Sequence, residues 1–292
     1  MHRLLYNFIS SQQVEPFILF VNYDPAHIQL PYLEYAVRMK LKDVPFPREY
    51  GSWGILITAC VIGVFIQQDP SWTDLVFVAG ICLVFMTKAS LGAFIRRRSP
   101  FSFILTFGYA ATGLFLLAPV LFRMQKENVL FLSAVPLLTV IVYALSAYLH
   151  KERASVVEFF AMATLTLPVL FFSTAGSNGI DVSIAALWFL SFLYFSASIF
   201  KVKMLLFKKR FFRIANLVYL ILVLAVIALF IYGNIVPWPA GAAFLPLLDN
   251  VYSTFHEHNG KRNLKRIGVF ELVKGTVFAC ILIVAAKTTL KI

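Results

Sequence analysis

Long apolar stretches alternate with short polar segments along most of this chain. An apolar run of about 17 to 25 residues is long enough for a helix to cross a bilayer. Nine such runs follow residue 46, and we predict one transmembrane helix for each. They cover residues 51–67, 74–94, 101–122, 129–149, 155–174, 180–200, 212–232, 235–255 and 267–286. Lys88 interrupts the second run near its end, and Asp249 and Asn250 interrupt the eighth.

The first 46 residues follow a different pattern. Residues 4–20 are apolar only in patches and lack the small-residue cleavage site of a signal peptide. Residues 30–42 predict an interfacial helix, because Leu33, Val37 and Leu41 are spaced by four and basic residues lie beside them. We therefore divide the chain into a cytoplasmic or interfacial extension, 1–46, and a nine-helix transmembrane domain, 47–292.

Basic residues are distributed unevenly between the loops on the two sides of the predicted membrane domain. If the N-terminus is cytoplasmic, the loops on that side and their adjoining helix ends carry sixteen Lys and Arg residues. The loops on the opposite side carry two, Arg123 and Lys126. Cytoplasmic loops of membrane proteins are enriched in Lys and Arg. The distribution therefore predicts a cytoplasmic N-terminus, an external C-terminus and a location in the cell (cytoplasmic) membrane.

The composition excludes several classes of protein. Hydrophobic residues make up 60% of the chain and charged residues 14%, and the mean hydropathy is +0.81. One globular core could not bury so much apolar surface, which excludes a soluble enzyme, a secreted disulfide scaffold and a disordered chain. The net charge of +12 follows from the basic loops and needs no nucleic acid partner. Cys60, Cys82 and Cys280 lie singly in apolar runs, so no redox or zinc site is predicted.

Three segments at predicted cytoplasmic helix starts share one pattern, with basic residues at the start and a carboxylate at or just inside it. Glu271 and Lys274 lie three residues apart on a predicted helix, so they can pair. Glu158 lies about one turn beyond Arg153 and can pair in the same way. Arg and Lys converging on helix starts favour an anion, such as phosphate, diphosphate or carboxylate. The candidate ligand-binding residues are Arg48, Glu49, Lys88, Arg96, Lys151, Arg153, Glu158, Lys265, Arg266, Glu271 and Lys274.

The same residues also fit a simpler interpretation, in which they anchor the helix ends and extend to lipid headgroups. Asp249 and Asn250 form an intramembrane polar pair, which either marks a functional site or bonds neighbouring helices. His256 and His258 could bind a metal, but no third ligand stands at a recognisable spacing, so we predict no metal site and no cofactor. No internal repeat supports an inverted-repeat transporter.

The three segments resemble the YwiC-like family of bacterial membrane proteins. The resemblance rests on residues 47–53, on 151–155 with Glu158, and on 265–271, together with the basic stretch 88–98. It covers the chain from about residue 45 to the end. Tyr50 stands where the family's Pro-Arg-Glu motif is usually followed by His, so a role of that His does not transfer to this chain.

The family is in turn distantly similar to the UbiA prenyltransferases. This similarity implies a bundle of nine helices with a cytoplasmic N-terminus and an active site on the cytoplasmic side. UbiA-type enzymes bind Mg²⁺-diphosphate through Asp-rich motifs in the loops after helices two and six. The corresponding segments here, 88–98 and 201–213, contain no Asp or Glu. Since Mg²⁺ needs oxygen ligands, usually carboxylates, we expect neither Mg²⁺ nor the usual prenyl transfer.

Three functions follow from these observations. The first is a UbiA-like protein that binds an isoprenoid or another lipid with an anionic head at a basic cytoplasmic mouth. If it is an enzyme, it is then a prenyl or lipid transferase without the Asp-rich motifs. The second is a transporter of small anions. The third is a non-catalytic subunit or assembly factor of a membrane complex, with residues 1–44 contacting the partner.

Overall fold

The computed structural model describes residues 50–67, 70–97, 100–122, 124, 126–149, 154–175, 180–207, 210–255 and 264–289. These residues form helices, and no strand occurs among them. In chain order the helices are α1 (Tyr50–Ile66), α2 (Trp72–Arg97), α3 (Pro100–Leu121), α4 (Lys126–Tyr148), α5 (Ser155–Thr166), α6 (Pro168–Ala175), α7 (Val182–Phe207), α8 (Arg210–Tyr232), a 3₁₀ helix (Trp238–Leu247), α9 (Leu248–Phe255) and α10 (Leu264–Thr289). The extension 1–46 and the two histidines His256 and His258 lie outside the described residues.

Seven of the described segments are long and apolar enough to cross a membrane, with α5 and α6 together forming one of them. Large apolar side chains point outward from these segments, as Phe107 and Phe115 of α3 and Leu130 of α4 illustrate at 70%, 76% and 70% exposure. Such a surface suits contact with lipid rather than with water. The seven spans are Trp72–Arg96, Phe101–Leu121, Lys126–Tyr148, Ser155–Thr174, Val182–Phe207, Arg210–Tyr232 and Ile267–Thr288.

The two remaining predicted spans take other forms. The first is α1, an apolar helix of 17 residues. The eighth, 235–255, is not one α-helix, because Trp238–Leu247 is a 3₁₀ helix and only the last eight residues, Leu248–Phe255, are α-helical. Pro237, Pro239 and Pro246 lie in or beside the 3₁₀ part, and proline has no N–H to continue an α-helical ladder. The count of nine spans therefore stays a prediction.

The sixth predicted span ends too early. It was expected over 180–200, whereas α7 runs from Val182 to Phe207. Lys201 and Lys203 consequently lie on a helix with buried side chains rather than in a loop. The helix continues past them because residues 204–207 are again apolar and because both ammonium groups contact carboxylates of other helices.

Helix α7 is the centre of the bundle. In its most apolar stretch 61% of the residues are buried, against 11% in α4. Leu187 and Leu190 are fully buried, and Tyr194 stacks on Phe278 of α10 with ring centroids 3.9 Å apart. Helices α5, α6, α8, α9 and α10 and the 3₁₀ helix surround or adjoin this core. Residues on α7 can therefore contact side chains from most of the chain.

Helices α2 and α3 pack closely through two glycines. A Cβ atom added at Gly113 would lie 3.0 Å from the carbonyl oxygen of Gly80 and 2.8 Å from Cγ2 of Val84. Small residues at such crossings let the backbones of membrane helices approach. The absence of a side chain at Gly113 thus sets the distance between these two helices.

Candidate functional site

Charged side chains from several helices meet at one end of the bundle, which we call the basic end. It comprises the C-terminal ends of α2, α4, α7 and α9 and the N-terminal ends of α5, α8 and α10. Lys88 of α2 lies 5.6 Å from the ring centroid of Tyr143 on α4, and Lys203 of α7 contacts Glu158 of α5. The charge distribution predicts that this is the cytoplasmic end, and the orientation stays a prediction.

Four charged residues at the basic end form a closed ring in which positive and negative groups alternate. Lys201 Nζ donates to Glu271 Oε1 at 2.6 Å and to Asp249 Oδ2. Lys274 Nζ lies 2.7 Å from the same Glu271 oxygen and 3.3 Å from the same Asp249 oxygen. Each carboxylate therefore contacts both ammonium groups through one shared oxygen. We call Lys201, Asp249, Glu271 and Lys274 the charge ring.

The charge ring lies inside the bundle. The side chains of Lys201 and Lys274 are 4% and 7% exposed, whereas those of Asp249 and Glu271 are 31% and 20% exposed. At a rise of 1.5 Å per residue, Lys274 lies about 15 Å along α10 from its start. An unpaired charge at this depth in a membrane is costly. Mutual pairing explains how two lysines can occupy these buried positions.

Local sequence explains part of the ring. Glu271 and Lys274 share one face of α10, and their predicted pairing is confirmed. Asp249 lies in the first turn of α9, directly after the 3₁₀ helix. Lys201 lies on α7 and is separated along the chain from Asp249 by 48 residues and from Glu271 by 70. The ring is closed only by the packing of three helices.

A neutral hydrogen-bond network adjoins the ring. Asn250 Oδ1 accepts a hydrogen bond from Lys274 Nζ at 3.1 Å, and the hydroxyl of Tyr194 donates to the carbonyl oxygen of Lys274 at 3.0 Å. Asn216 of α8 donates to Thr254 Oγ1 at 2.8 Å. Both asparagines are fully buried, and among the described residues Asn250 Nδ2 and Asn216 Oδ1 have no hydrogen-bond partner. The predicted polar pair 249–250 thus bonds neighbouring helices and also presents an unused buried donor.

A second ion pair joins α5 to α7. Lys203 Nζ lies 2.7 Å from Glu158 Oε2 and donates to Ser155 Oγ, also at 2.7 Å. The sequence suggested Arg153 as the partner of Glu158, and Arg153 lies outside the described residues. The partner that the structure provides is a lysine of another helix.

Two cations of α2 lie on one face of that helix, near α4. Lys88, Gly92 and Arg96 are spaced by four residues, which places them in one row. The hydroxyl of Tyr143 occupies the space that a side chain at position 92 would fill, and a Cβ there would lie 3.4 Å from a guanidinium nitrogen of Arg96. Gly92 therefore allows a phenol hydroxyl to lie between two cations.

Several predicted site residues cannot be placed in this arrangement. Those outside the described residues are Arg48, Glu49, Lys151 and Arg153, and the side chains of Lys265 and Arg266 are not described. The predicted convergence of the three basic segments thus stays a prediction.

Sequence reasoning also missed important residues. Lys201 and Lys203 were counted as loop charges, although the apolar run 204–207 that follows them indicated a longer helix. Asn216, a polar residue near the start of an apolar span, was a further signal of the same kind. Within the described residues, no group of three or more His, Cys, Asp or Glu side chains could hold a metal ion.

These features define an all-helical, multi-pass membrane protein with a charge network buried in its bundle. Residues 46–173 match the family model described as YwiC-like protein. The resemblance to the YwiC-like family is thereby confirmed for this part of the chain, which contains α1 to α5 and most of α6. The charge ring lies beyond the matched segment. No curated protein and no solved structure matches the chain.

Proposed function

We propose that this protein binds an amphiphile with an anionic head, such as an isoprenoid phosphate or a phospholipid, at its basic end in the cytoplasmic membrane. The observation that carries the proposal is the excess of positive charge there. Seven basic side chains accompany three carboxylates among the side chains described at this end. Anionic headgroups attract such clusters and form strong charge-assisted hydrogen bonds with them. The basic residues are Lys88, Arg96, Lys201, Lys203, Arg210, Arg213 and Lys274, and the carboxylates are Glu158, Asp249 and Glu271.

The α2–α4 contact offers a specific place for the headgroup. Lys88 and Arg96 would each donate to a phosphate oxygen close to the hydroxyl of Tyr143. Val140 of α4 lies one helical turn from Tyr143 and is 48% exposed. An acyl or isoprenoid tail would lie along this apolar surface of α4.

The proposal includes a UbiA-like bundle of nine membrane passes with a cytoplasmic N-terminus and an external C-terminus. The 3₁₀ helix and α9 together would extend about 32 Å, because a 3₁₀ helix rises 2.0 Å per residue and an α-helix 1.5 Å. This length matches the hydrocarbon core of a bilayer. Helix α1, at about 25 Å, would cross with some local thinning. Any modification of the lipid would proceed without the Asp-rich motifs of UbiA-type enzymes.

Native mass spectrometry of the gently extracted protein tests this function. We expect an anionic lipid to accompany the wild type and to decrease about tenfold in Lys88→Gln/Arg96→Gln, since tenfold corresponds to the loss of about 1.4 kcal/mol. The matched control is Lys126→Gln/Lys287→Gln, which removes two exposed cations from the opposite end of the bundle. Equal lipid retention by the wild type and Lys88→Gln/Arg96→Gln would refute the headgroup site.

A transporter of small anions is the second candidate. It is favoured by the charge ring, which lies where the 3₁₀ helix changes to α9. Discontinuous helices form the substrate sites of many transporters. Anion flux into proteoliposomes distinguishes this function from lipid binding. The complex partner predicted for residues 1–44 would contact a segment outside the described residues.

A further inference from the structure

We propose that the charge ring is a binding site for one singly charged anionic group, a carboxylate or a phosphodiester, and that each anion binds together with one proton. The anion would replace the carboxylate of Asp249 between the two lysines, and the released carboxylate would take up the proton. The group can belong to a free anion or to a lipid head, so this inference does not depend on the lipid-binding function.

The donors of this site are already in place. Lys201 Nζ and Lys274 Nζ share Asp249 Oδ2 and Glu271 Oε1, so an oxygen that replaces the Asp249 oxygen meets two ammonium groups. Asn250 adds a third donor, because its Oδ1 atom is held against Lys274 at 3.1 Å while its Nδ2 atom has no partner among the described residues. A carboxylate or phosphodiester has two oxygens with which to accept from all three.

Asp249 is the carboxylate that can leave. It is the more exposed of the two, at 31% against 20% for Glu271, and its 3.3 Å contact with Lys274 is the longest in the ring. Its partners lie on other helices, whereas Glu271 is tied to Lys274 on its own helix. Release of Asp249 therefore needs only a rotation of a short side chain at the start of α9.

The coupling to a proton follows from the charge balance. The ring has two positive and two negative groups, so an added anion would leave one uncompensated negative charge inside the span. Such a charge is costly in a membrane interior. Protonation of the released Asp249 carboxylate restores neutrality. No covalent bond of the ligand changes, and the proton comes from the water at the basic end.

Apart from Glu271, which keeps its contacts with both lysines, no other carboxylate among the described residues adjoins Asp249. Helix α7 contributes Lys201 and Tyr194, whose hydroxyl donates to the Lys274 carbonyl, and α10 contributes Glu271 and Lys274. Helix α1 and the 3₁₀ helix contain no Asp, Glu, Lys, Arg or His, and α8 presents the neutral Asn216. Glu158 of α5 is paired with Lys203.

Dimethyl phosphate is a suitable free probe, because a phosphodiester keeps one negative charge at ordinary pH. The full-length protein in phosphatidylcholine nanodiscs is titrated with it by calorimetry in two buffers of different ionisation enthalpy, which gives the number of protons taken up. We expect about one proton per anion, and an affinity that falls about tenfold for each pH unit while the free carboxylate is charged. Absence of binding, or binding without proton uptake, would overturn the inference.

Variants locate the proton. Asp249→Asn leaves the ring with one positive charge in excess, so it should bind dimethyl phosphate more tightly, without proton uptake and without dependence on pH. Glu271→Gln should also bind dimethyl phosphate more tightly and without proton uptake, and it replaces Asp249→Asn as the test if that variant does not fold. The matched control Asp74→Asn changes a buried carboxylate at the opposite end of α2 and should keep the uptake of one proton. Unchanged uptake in both ring variants would contradict the proposal.

A second probe separates the sources of the anion and the two proposals. Retention of phosphatidylglycerol is measured by native mass spectrometry at two pH values. Retention that decreases at higher pH and in Lys201→Gln supports a lipid head in the ring. Retention that depends on Lys88 and Arg96 alone would leave the lipid-binding function standing and refute a lipid head in the ring. Proton-coupled binding of dimethyl phosphate without lipid retention would support the ring and refute the lipid-binding function.

Discussion

Replacing Lys201 with Met removes one cation from the charge ring and leaves Asp249 and Glu271 to share Lys274. Met retains most of the apolar length of the lysine side chain, so the loss of packing is small. Removing one partner of a buried ion pair costs about 3–5 kcal/mol, because the remaining charge is buried without compensation. Both carboxylates are partly exposed, at 31% and 20%, which places the expected loss at the lower end. We expect Lys201→Met to lower the free energy of unfolding by about 3 kcal/mol.

Reversible unfolding in mixed detergent micelles, followed by circular dichroism, measures this loss. The double variant Lys201→Met/Asp249→Leu removes one charge of each sign and leaves the balanced pair Glu271 and Lys274. It should regain most of the stability, since apolar residues can replace a buried ion pair at little cost. Lys287→Met, at an exposed position near the end of α10, is the control and should change the stability by less than about 0.5 kcal/mol. If the stability losses of Lys201→Met and Asp249→Leu, measured singly, add up to the loss of the double variant within about 0.5 kcal/mol, then Lys201 and Asp249 do not interact and the reasoning is wrong.

Two further predictions concern the packing around the site. Gly113→Val should destabilise the protein by about 1–3 kcal/mol, because the added side chain forces α2 and α3 apart. Gly108→Val on the same helix is the control and should not destabilise it, since no atom lies within 4 Å of the added Cβ. Thermal unfolding in detergent compares the two variants, and equal melting temperatures would contradict the close crossing. Tyr194→Phe should cost about 0.5–1.5 kcal/mol by removing the hydrogen bond to the Lys274 carbonyl, and a loss no larger than that of the exposed control Tyr232→Phe would count against that bond.

Contacts of the site between residues close in sequence could be predicted, whereas contacts between distant residues could not. The pair Glu271 and Lys274 was predictable, because both residues lie on one helical face and their spacing alone brings them together. Lys201 was not, because its carboxylate partners come from segments 48 and 70 residues away. The apolar run 204–207 indicated that the helix continues past Lys201. Which carboxylates the Lys201 ammonium group contacts is decided only by the packing of α7 against α9 and α10.

The eighth predicted span shows a related limit. Hydropathy measures whether a segment suits lipid, and it does not respond to the type of helix. The apolar run 235–255 was therefore predicted as a span, while its division into a 3₁₀ helix and α9 was not predicted. The prolines at 237, 239 and 246 were visible in the sequence, but prolines occur in transmembrane helices without breaking them when neighbours satisfy the freed backbone groups. Pro119 and Pro136 lie inside α3 and α4 without ending these helices.

The charge ring can be a structural brace, a binding site or both, and ligand-dependent stability separates these roles. A ligand that binds only the folded state stabilises it by an amount that grows with the ratio of its concentration to its dissociation constant. A brace alone predicts that dimethyl phosphate leaves the unfolding of every variant unchanged. A binding site that takes up a proton predicts that dimethyl phosphate stabilises the wild type more at low pH than at high pH. It also predicts that Asp249→Asn, although weakened as a brace, gains more stability from the ligand than the wild type does. The two roles thus give different expectations for Asp249→Asn in the presence of dimethyl phosphate. In a purely structural role the lost carboxylate is only a partner of the lysines, whereas in a binding site it also competes with the ligand.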